Sequence, residues 1–393
     1  MSTLEPVGTL LQAKSSSTLG GTTTSTTCFA VNNDGTILAL GASDLTTVSI
    51  FIKSDGKFKS PPTFIPDQFV RSIAFHPVFP VLATGGGTEE HGGTVKLWRM
   101  FPEDLPPPRN TRTPDTSATI NVDSRINSVA FHPTKKLLAT GSSDNTTRVW
   151  SFNNDYKELK CEATLNHGIG RDHVVNVVAF HPDEKQIFLA SGCNGPNMSR
   201  LWKLNPKNLA NNPVFKILDS TDAIRTLAFH PSGKLLATGH AGNNLKLWGF
   251  NNYDSISCVN TLSQEEQGHS SSVVSVAFHP TENFLATGSW DRSAKVWSYS
   301  SEGRVVNCVV THNYDTNVNS VAFYPVPEGQ DPILAIGRTG GLFETYELTS
   351  PPPGDSSGGT RRRTPRRHRR RTQTRTRRRS RKQQQRSRRR HRR

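Results

Sequence analysis

The residues with the clearest chemistry lie at the end of the chain, where arginine recurs almost without interruption. Residues 361–393 hold 19 Arg and one Lys but no Asp, Glu, aliphatic or aromatic residue. Guanidinium groups pair with phosphate through parallel N–H donors, and each contact releases counterions from nucleic acid. Because no aromatic side chain can stack on bases, we expect binding to DNA or RNA without sequence preference. We expect these contacts from Arg361, Arg362, Arg363, Arg366, Arg367, Arg369, Arg370, Arg371, Arg377, Arg378, Arg379, Arg388, Arg389 and Arg390.

The charge of this segment separates it from the rest of the chain. The net charge of +16 becomes −4 when these 20 positive charges are left out. Like charges repel one another and no apolar residue can form a core, so we predict a disordered arm over residues 361–393. Residues 350–360, rich in Pro, Gly and Ser, are predicted to be a mobile linker. A nuclear-import signal and a solubilising tail remain alternative roles for the arm.

Five histidines raise the question of a metal site, because histidine is the commonest metal ligand. Each stands in a Phe-His-Pro triplet at the same point of a repeated sequence, so the five side chains would not converge on one point, as zinc requires. We therefore expect a structural role in a turn, no metal and no cofactor. These residues are His76, His132, His181, His230 and His279.

A glycine-rich stretch raises the question of a phosphate-binding loop. Gly85-Gly86-Gly87 and Gly92-Gly93 precede residues 94–98, which read as a strand, whereas a phosphate loop leads into a helix. We therefore predict a flexible loop here. No Ser-His-Asp set, paired carboxylates or HExxH motif occurs elsewhere, and we predict that the protein is not an enzyme.

Most of the remaining sequence is a repeat, and the repeated elements must position the residues discussed above. Residues 130–150 read AFHPTKKLLATGSSDNTTRVW, residues 228–248 read AFHPSGKLLATGHAGNNLKLW, and residues 277–297 read AFHPTENFLATGSWDRSAKVW. Two copies with insertions cover 75–98 and 180–202, and degenerate copies cover 31–50 and 323–346. Phe131, Phe180, Phe229 and Phe278 are each 49 residues apart. Alternating apolar residues within each copy favour short strands.

This pattern resembles the WD-repeat family over roughly residues 5–349. The resemblance implies an all-β fold: a seven-bladed β-propeller of four-stranded antiparallel blades within residues 1–349. The seventh copy has only three strands before Pro351, so we expect residues 1–20 to supply the closing strand through Thr9-Leu10-Leu11-Gln12.

The same resemblance implies two sets of site residues. A structural hydrogen-bonded tetrad is complete only in the sixth repeat, as His269, Ser289, Asp291 and Trp297. In related propellers partners dock on the face where loops gather around the central channel. On this chain the corresponding positions are Phe69, Arg71, Arg125, Asn127, Asn176, Arg225 and Asn319.

Three of these positions, Arg71, Arg125 and Arg225, favour an acidic or phosphorylated peptide as the partner. The alternative is that they are solvated charges at the rim. Either way, the expected function is a non-enzymatic interaction scaffold within a larger complex, binding a protein or peptide through the propeller and DNA or RNA through the arm.

A substrate receptor or adaptor of a ubiquitin ligase, with the arm serving only nuclear import, is the alternative. The Trp-Asp-x-Arg ending of such receptors is absent from every repeat. Five dispersed cysteines and no apolar segment of membrane-spanning length indicate reduced, mostly buried thiols in an intracellular protein. We expect a nuclear location and no membrane contact, with cytoplasmic or virion-associated locations as alternatives.

Overall fold

The structure is a computed structural model, and all structural statements refer to the residues that it describes. These are residues 10–12, 17–18, 28–41, 47–54, 57–58, 63–66, 69–100, 116–211, 213–251, 253–304, 306–326, 331–340 and 342–348. The arm (361–393), the linker (350–360) and most of the 101–117 insertion therefore lie outside the described residues.

The described residues form seven antiparallel sheets, which are the blades of a propeller. Two short strands, β1 (Leu10–Gln12) and β2 (Ser17–Thr18), precede the first blade. Blade 1 contains β3 (Cys28–Val31), β4 (Ile37–Gly41), β5 (Thr47–Ser54), β6 (Lys57–Phe58) and β7 (Thr63–Pro66). Blade 2 contains β8 (Val70–Phe75), β9 (Val81–Thr88), β10 (Gly92–Arg99) and β11 (Thr116–Val122), and blade 3 contains β12 (Ile126–Phe131), β13 (Leu137–Ser142), β14 (Thr146–Phe152) and β15 (Leu159–Asn166).

The remaining blades repeat this arrangement, with three 3-10 turns at Arg171–His173, Tyr253–Ser255 and Gln264–Glu266. Blade 4 contains β16 (Val175–Phe180), β17 (Ile187–Cys193), β18 (Arg200–Leu204) and β19 (Val214–Ile217). Blade 5 contains β20 (Ile224–Phe229), β21 (Leu235–His240), β22 (Leu245–Phe250) and β23 (Ile256–Leu262). Blade 6 contains β24 (Val273–Phe278), β25 (Phe284–Ser289), β26 (Ser293–Tyr299) and β27 (Val306–Asn313), and blade 7 contains β28 (Val318–Tyr324), β29 (Ile333–Arg338) and β30 (Leu342–Leu348).

We refer to the four main strands of a blade as a to d in chain order. The a strands of neighbouring blades lie against one another around the ring, and β28 of blade 7 contacts β3 of blade 1. The a strands therefore line the centre, the d strands form the outer edge, and the ring is closed. The predicted seven-bladed, all-β architecture is confirmed.

The hydrophobic core lies between the blades because each sheet buries both of its faces. Val81 and Leu97 of blade 2 pack on Ile126, Val129 and Phe131 of blade 3, and all five are buried. Equivalent clusters join the other blades. The alternating apolar residues of each copy thus face the neighbouring blades, as the period of two in a strand requires.

Serines near the start of strand a make polar links between blades. Ser128 lies where the register of β12 against β13 shifts, and its Oγ accepts a hydrogen bond from the backbone N–H of Val178 in the next blade at 3.1 Å. Val178 lies on β16, the inner edge strand of its sheet. Alternate N–H groups of an edge strand have no ladder partner, and here the neighbouring blade satisfies one of them.

The ring is closed by the N-terminal strand, as predicted. β1 pairs antiparallel with β30, with Leu10 opposite Leu348 and Gln12 opposite Tyr346. The second short strand, β2, pairs with the other end of β30. Strand d of blade 7 is therefore supplied by the beginning of the chain, and this pairing covers the edge that β30 would otherwise expose.

Two expectations about local structure are wrong. The glycine-rich stretch is not a loop: Gly85 to Gly87 lie in β9, Gly92 and Gly93 begin β10, and only three residues turn between them. A Cβ atom at Gly86 or Gly93 would collide with the carbonyl oxygen of Phe69 or of Ser124, respectively. Glycine therefore permits two loops to press against an unusually long hairpin.

The cysteines are all free, but only Cys193 is buried. Cys161 and Cys258 are exposed because they lie on the d strands β15 and β23, at the outer edge of their blades. The expectation of mostly buried thiols failed because the sequence pattern does not separate an outer strand from an inner one.

The chain divides into two units between Pro351 and Pro352, and the second unit lies outside the described residues. In the part of the chain that the structure describes, no helix is both long and apolar enough to span a bilayer.

Candidate partner-binding face

The buried polar network of blade 6 runs from the core to the surface. Trp297 Nε1 donates to Thr287 Oγ1 at 2.9 Å, and this hydroxyl in turn donates to His269 Nε2 at 2.7 Å. His269 Nδ1 donates to Asp291 Oδ2 at 2.8 Å. The indole can only donate, so the hydroxyl accepts from it. Burial lowers the pKa of His269, so the ring is neutral: it holds its proton on Nδ1, facing Asp291, and Nε2 accepts the hydroxyl hydrogen.

The hydroxyl of the predicted tetrad was assigned to the wrong residue. Ser289 Oγ bonds the carbonyl oxygen of Ser271 at 3.1 Å and accepts from the backbone N–H of Asp291 at 3.0 Å, but does not join Trp297 to His269. Thr287 and Ser289 lie on the same face of β25, so alternation could not distinguish them. The cross-strand register distinguishes the two residues: Thr287 lies opposite Lys295, two pairs from Trp297 and on the same face of the sheet, whereas Ser289 ends the strand.

Blade 5 contains the same network with its ends exchanged, which sequence reasoning missed. Trp248 Nε1 donates to Thr238 Oγ1 at 2.9 Å, and Thr238 Oγ1 contacts His240 Nε2 at 2.9 Å. His240 Nδ1 then donates to Asp222 Oδ1 at 2.8 Å. Here the histidine ends strand b and the carboxylate precedes strand a, the reverse of blade 6. In the sequence, this network is marked only by an Asp before strand a and a His at the end of strand b, which is the reverse of the usual order of the motif.

Electrostatics in these two networks keep the carboxylates charged. Burial raises the pKa of Asp291, but hydrogen bonds donated by His269, by Ser293 and by the backbone N–H of Ser270 outweigh it, and the pKa falls well below its usual range. Burial lowers the pKa of His269 more than Asp291 raises it. The blade 6 pair consists of a neutral imidazole and a carboxylate, which suits a structural role.

The five Phe-His-Pro histidines cap the a–b turns. His132 Nδ1 accepts the backbone N–H groups of Thr134 and Lys135 at 3.2 and 3.1 Å. The ring also packs on Phe180 of the next blade, with centroids 5.2 Å apart. His76, His181, His230 and His279 make equivalent contacts with Phe131, Phe229, Phe278 and Phe323. Among the described residues, no three His, Cys, Asp or Glu side chains lie close enough to share a metal ion.

The predicted partner-binding positions lie at or just before the start of the a strands. The asparagines among them already bond within the protein. Asn127 donates both amide hydrogens, to Ser143 Oγ and to the carbonyl oxygen of Val175, at 3.1 and 3.0 Å. Asn176 bonds Asn194 and the carbonyl oxygen of Ile224, and Asn319 bonds Thr339. These amides therefore hold blades and turns in place.

Of the three predicted arginines, Arg125 lines a cleft of about 420 Å³. Arg125 and Ser124, from the loop before β12, form one wall, and Glu89, from the turn between β9 and β10, forms another. Asn194 lies on the third wall, and Arg225, behind it, donates from Nη1 to Asn194 Oδ1 at 3.4 Å. We call this site the blade 2–4 cleft. It confirms that d–a loops and b–c turns meet on one face, which we call the upper face.

Charge links the remaining predicted arginine to the same cleft. Arg71 is exposed to solvent as a residue, but nearby protein atoms partly desolvate its guanidinium group; this desolvation, and then the positive charge of Arg125, lower its pKa. Glu89 acts in the opposite direction and also pairs with Arg125, whose Nη1 lies 3.3 Å from Glu89 Oε1. Arg71 is therefore near Arg125, and Arg225 contacts the same cleft through Asn194. Their role in binding a partner stays a prediction.

Two cleft residues were missed by sequence reasoning. Arg171 lies in the loop before β16, nine residues before Phe180, whereas the search took positions four and six residues before each Phe. An insertion in this loop displaces it from that register. Asn194 lies in the b–c turn of blade 4, where no motif marks it. The loop length between β15 and β16 was the available signal for Arg171.

Known families provide an independent comparison. The sequence model described as WD domain, G-beta repeat, matches residues 60–99, 116–151, 211–249 and 256–298. Each match begins near a d strand and ends with strand c of the next blade, so the repeat and the blade are offset by one strand. The protein is a WD-repeat propeller. Blades 1, 4 and 7 of this propeller are centred outside the matched windows and carry the degenerate or lengthened copies.

Several curated proteins are similar to part of this chain. Nuclear distribution protein PAC1 of Arthroderma otae is 32% identical over 37% of this chain and 30% of its own length. Nuclear distribution protein nudF of Aspergillus flavus is 31% identical over 32% of this chain and 25% of its own. Protein transport protein SEC13 of Pyricularia oryzae is 27% identical over 35% and 47%, respectively. The propeller thus spans less than half the length of each of these relatives.

Proposed function

We propose that this WD-repeat propeller is a non-enzymatic scaffold, which binds a protein or peptide on its upper face while its arginine-rich arm holds nucleic acid. The observation that carries the propeller half is the blade 2–4 cleft. Loops from three blades form its walls, and hydrogen bonds between blades fix those loops. A rigid ring that presents several loops to one cleft suits recognition of an extended segment of another protein.

Relatives named for nuclear distribution and for protein transport support a role in assemblies of proteins. WD-repeat propellers typically serve as non-catalytic scaffolds, and this agrees with the neutral, buried state of the histidine in the blade 6 network. A buried His–Asp pair closed off by a Thr hydroxyl and an indole is part of the core and has no access to a substrate.

The nucleic-acid half of the proposal rests on the composition of residues 361–393. The 20 positive charges of this arm face no acidic residue in the same segment, whereas residues 1–360 carry a net charge of −4. Backbone phosphates would therefore be held by the arm rather than by the propeller. Chromatin, a ribonucleoprotein particle and a packaged viral genome are settings that present such phosphates, and the first favours a nuclear location.

Binding of duplex DNA and of RNA across a salt series tests this division of labour. The full chain is compared with residues 1–352, which retain the complete first unit of the structure. A third variant keeps the full length but replaces each arginine of residues 361–393 with glutamine, so that chain length and charge are separated.

We expect only the full chain with its arginines to bind, with log affinity falling against log salt at a slope of about −0.9 per phosphate engaged. Binding by residues 1–352, or none by the full chain, would contradict the proposal. In either case the arm would be better explained as a nuclear-import signal.

A further inference from the structure

The blade 2–4 cleft contains more cationic hydrogen-bonding capacity than the protein itself uses. Arg125 lines the cleft, and its ion-pair partner there is the largely exposed carboxylate of Glu89. Arg171 also lines the cleft, from an exposed turn, and forms no ion pair with any residue that the structure describes. Two guanidinium groups that line one cleft repel each other and keep donors available, so this site gains stability from an anion.

Glu89 now provides the negative charge beside Arg125 that such an anion would provide. Its carboxylate lies 3.3 Å from Arg125 Nη1, yet its side chain is 77% exposed. An exposed single ion pair contributes little to stability. The long glycine-built hairpin of β9 and β10 places Glu89 there, so the carboxylate occupies the position of a ligand without binding tightly.

Apolar side chains lie beside these charges. Ile169 is 94% exposed, two residues before Arg171, between Gly168 and Gly170, whose φ angles are +125° and +109°. These glycines allow the loop to hold an isoleucine outward, in water. Phe69, on the loop before β8, is also exposed and has a φ of +53°, which is costly for an aromatic residue. Exposed apolar residues and backbone strain next to a cleft point to a binding role.

We propose that the blade 2–4 cleft binds a phosphorylated peptide, with the phosphate held between Arg125 and Arg171 and an apolar residue of the peptide against Ile169. This inference rests on the proposed binding of a peptide at the upper face and specifies its chemistry. Phosphate is favoured over carboxylate because its oxygens can engage two guanidinium groups at once. On binding, the phosphate takes the place of Glu89 at Arg125.

If phosphate replaces Glu89 at Arg125, substitutions on the two sides of this ion pair should change the affinity for the peptide in opposite directions. Arg125→Ala and Arg171→Ala should each weaken binding of a phosphorylated peptide by about tenfold, which corresponds to the loss of one charged hydrogen-bonding partner. Glu89→Gln removes the competing charge and should strengthen binding by about threefold. Ile169→Ser should weaken binding severalfold for phosphorylated and unphosphorylated peptides alike, because it alters only the apolar contact.

Fluorescence anisotropy with the full chain measures these effects. The probe is a labelled nine-residue peptide library with a fixed central phosphoserine and mixed flanking residues, compared with the same library carrying serine or aspartate. Excess unlabelled duplex DNA is present throughout so that the arm does not capture the phosphopeptides. Arg304→Ala is the matched control, because Arg304 is exposed and pairs only locally with Glu302, between β26 and β27.

The expected result is at least tenfold preference for phosphoserine over serine, lost in the two arginine variants, increased in Glu89→Gln and unchanged in Arg304→Ala. Equal binding of all three libraries would overturn the phosphate inference while leaving the upper face as a peptide site. A preference for aspartate at least equal to that for phosphoserine would replace phosphate with carboxylate. Binding of none of the libraries would contradict both this inference and the propeller half of the proposed function.

Discussion

At the scale of single residues, the buried hydroxyl of Thr287 is the point at which two side chains meet. It accepts from the Trp297 indole and donates to His269, and all three residues are buried. Removing the hydroxyl while keeping the shape of the side chain leaves two buried polar atoms without partners. Such atoms are costly, about 1–3 kcal/mol each.

We therefore expect Thr287→Val to lower the free energy of unfolding by about 2–4 kcal/mol, measured by urea denaturation. Thr238→Val, in the reversed network of blade 5, should have a similar effect. Ser289→Ala removes bonds to backbone groups only, and its cost should be about 1 kcal/mol. If Ser289→Ala is as damaging as Thr287→Val, the network described here is wrong.

The prediction of Ser289 in place of Thr287 shows what a strand pattern can and cannot specify. Alternation predicts which residues share a face, so Trp297, His269 and Asp291 could be assigned from their types and order. Thr287 and Ser289 both face the same way, and only the three-dimensional register chooses between them. For Arg171 the limit was a loop insertion, because counting back from Phe180 assumes loops of equal length.

At the scale of elements, the a–b turns share one design that depends on neutral histidine. The Nδ1 atom of each ring accepts backbone N–H groups, so protonation would break those bonds. Burial lowers the pKa of all five histidines, and that of His132 falls to about 4. Unfolded histidine has a pKa of about 6.5, so the unfolded chain takes up protons first as pH falls.

Stability should therefore be highest above about pH 6.5 and decrease steadily towards pH 4, because the folded state resists protonation that the unfolded state accepts. The free energy of unfolding, followed by denaturant titration from pH 7.5 to 4.5, measures this. His132→Gln should reduce the slope by about one proton, whereas Asn154→Gln, at an exposed position that does not titrate, should leave it unchanged. A free energy of unfolding that does not vary with pH would contradict the role assigned to these turns.

At the scale of the whole molecule, the ring depends on the pairing of β1 with β30. Deleting residues 1–15 removes β1 and exposes the edge of β30. We expect the Tm to fall by about 4 °C or more, since several backbone hydrogen bonds and the closed ring are lost. Deleting residues 352–393 is the control and should leave the Tm unchanged. Equal Tm values for the two deletions and the full chain would show that closure does not depend on this strand.

The architecture was predictable to a greater extent than the site. A 49-residue spacing of Phe and five well-preserved copies specify repeated blades, and the missing fourth strand after Tyr346 specifies closure from the other end. The cleft was only partly predictable, because its walls come from turns of different length, such as the glycine-built hairpin that carries Glu89. Such turns follow from contacts between blades that no single copy of the repeat contains.

The pairing of β1 with β30 also constrains how the protein is made. Gln12 meets Tyr346, so the partner of the first strand is among the last propeller residues to leave the ribosome. At about 5–20 residues per second, β1 would wait roughly 20–70 s for that partner during synthesis. The earlier blades can form in the meantime, but β1 has no partner until β30 has been synthesised. Folding of this chain should therefore depend on chaperones that shield β1 until β30 is available.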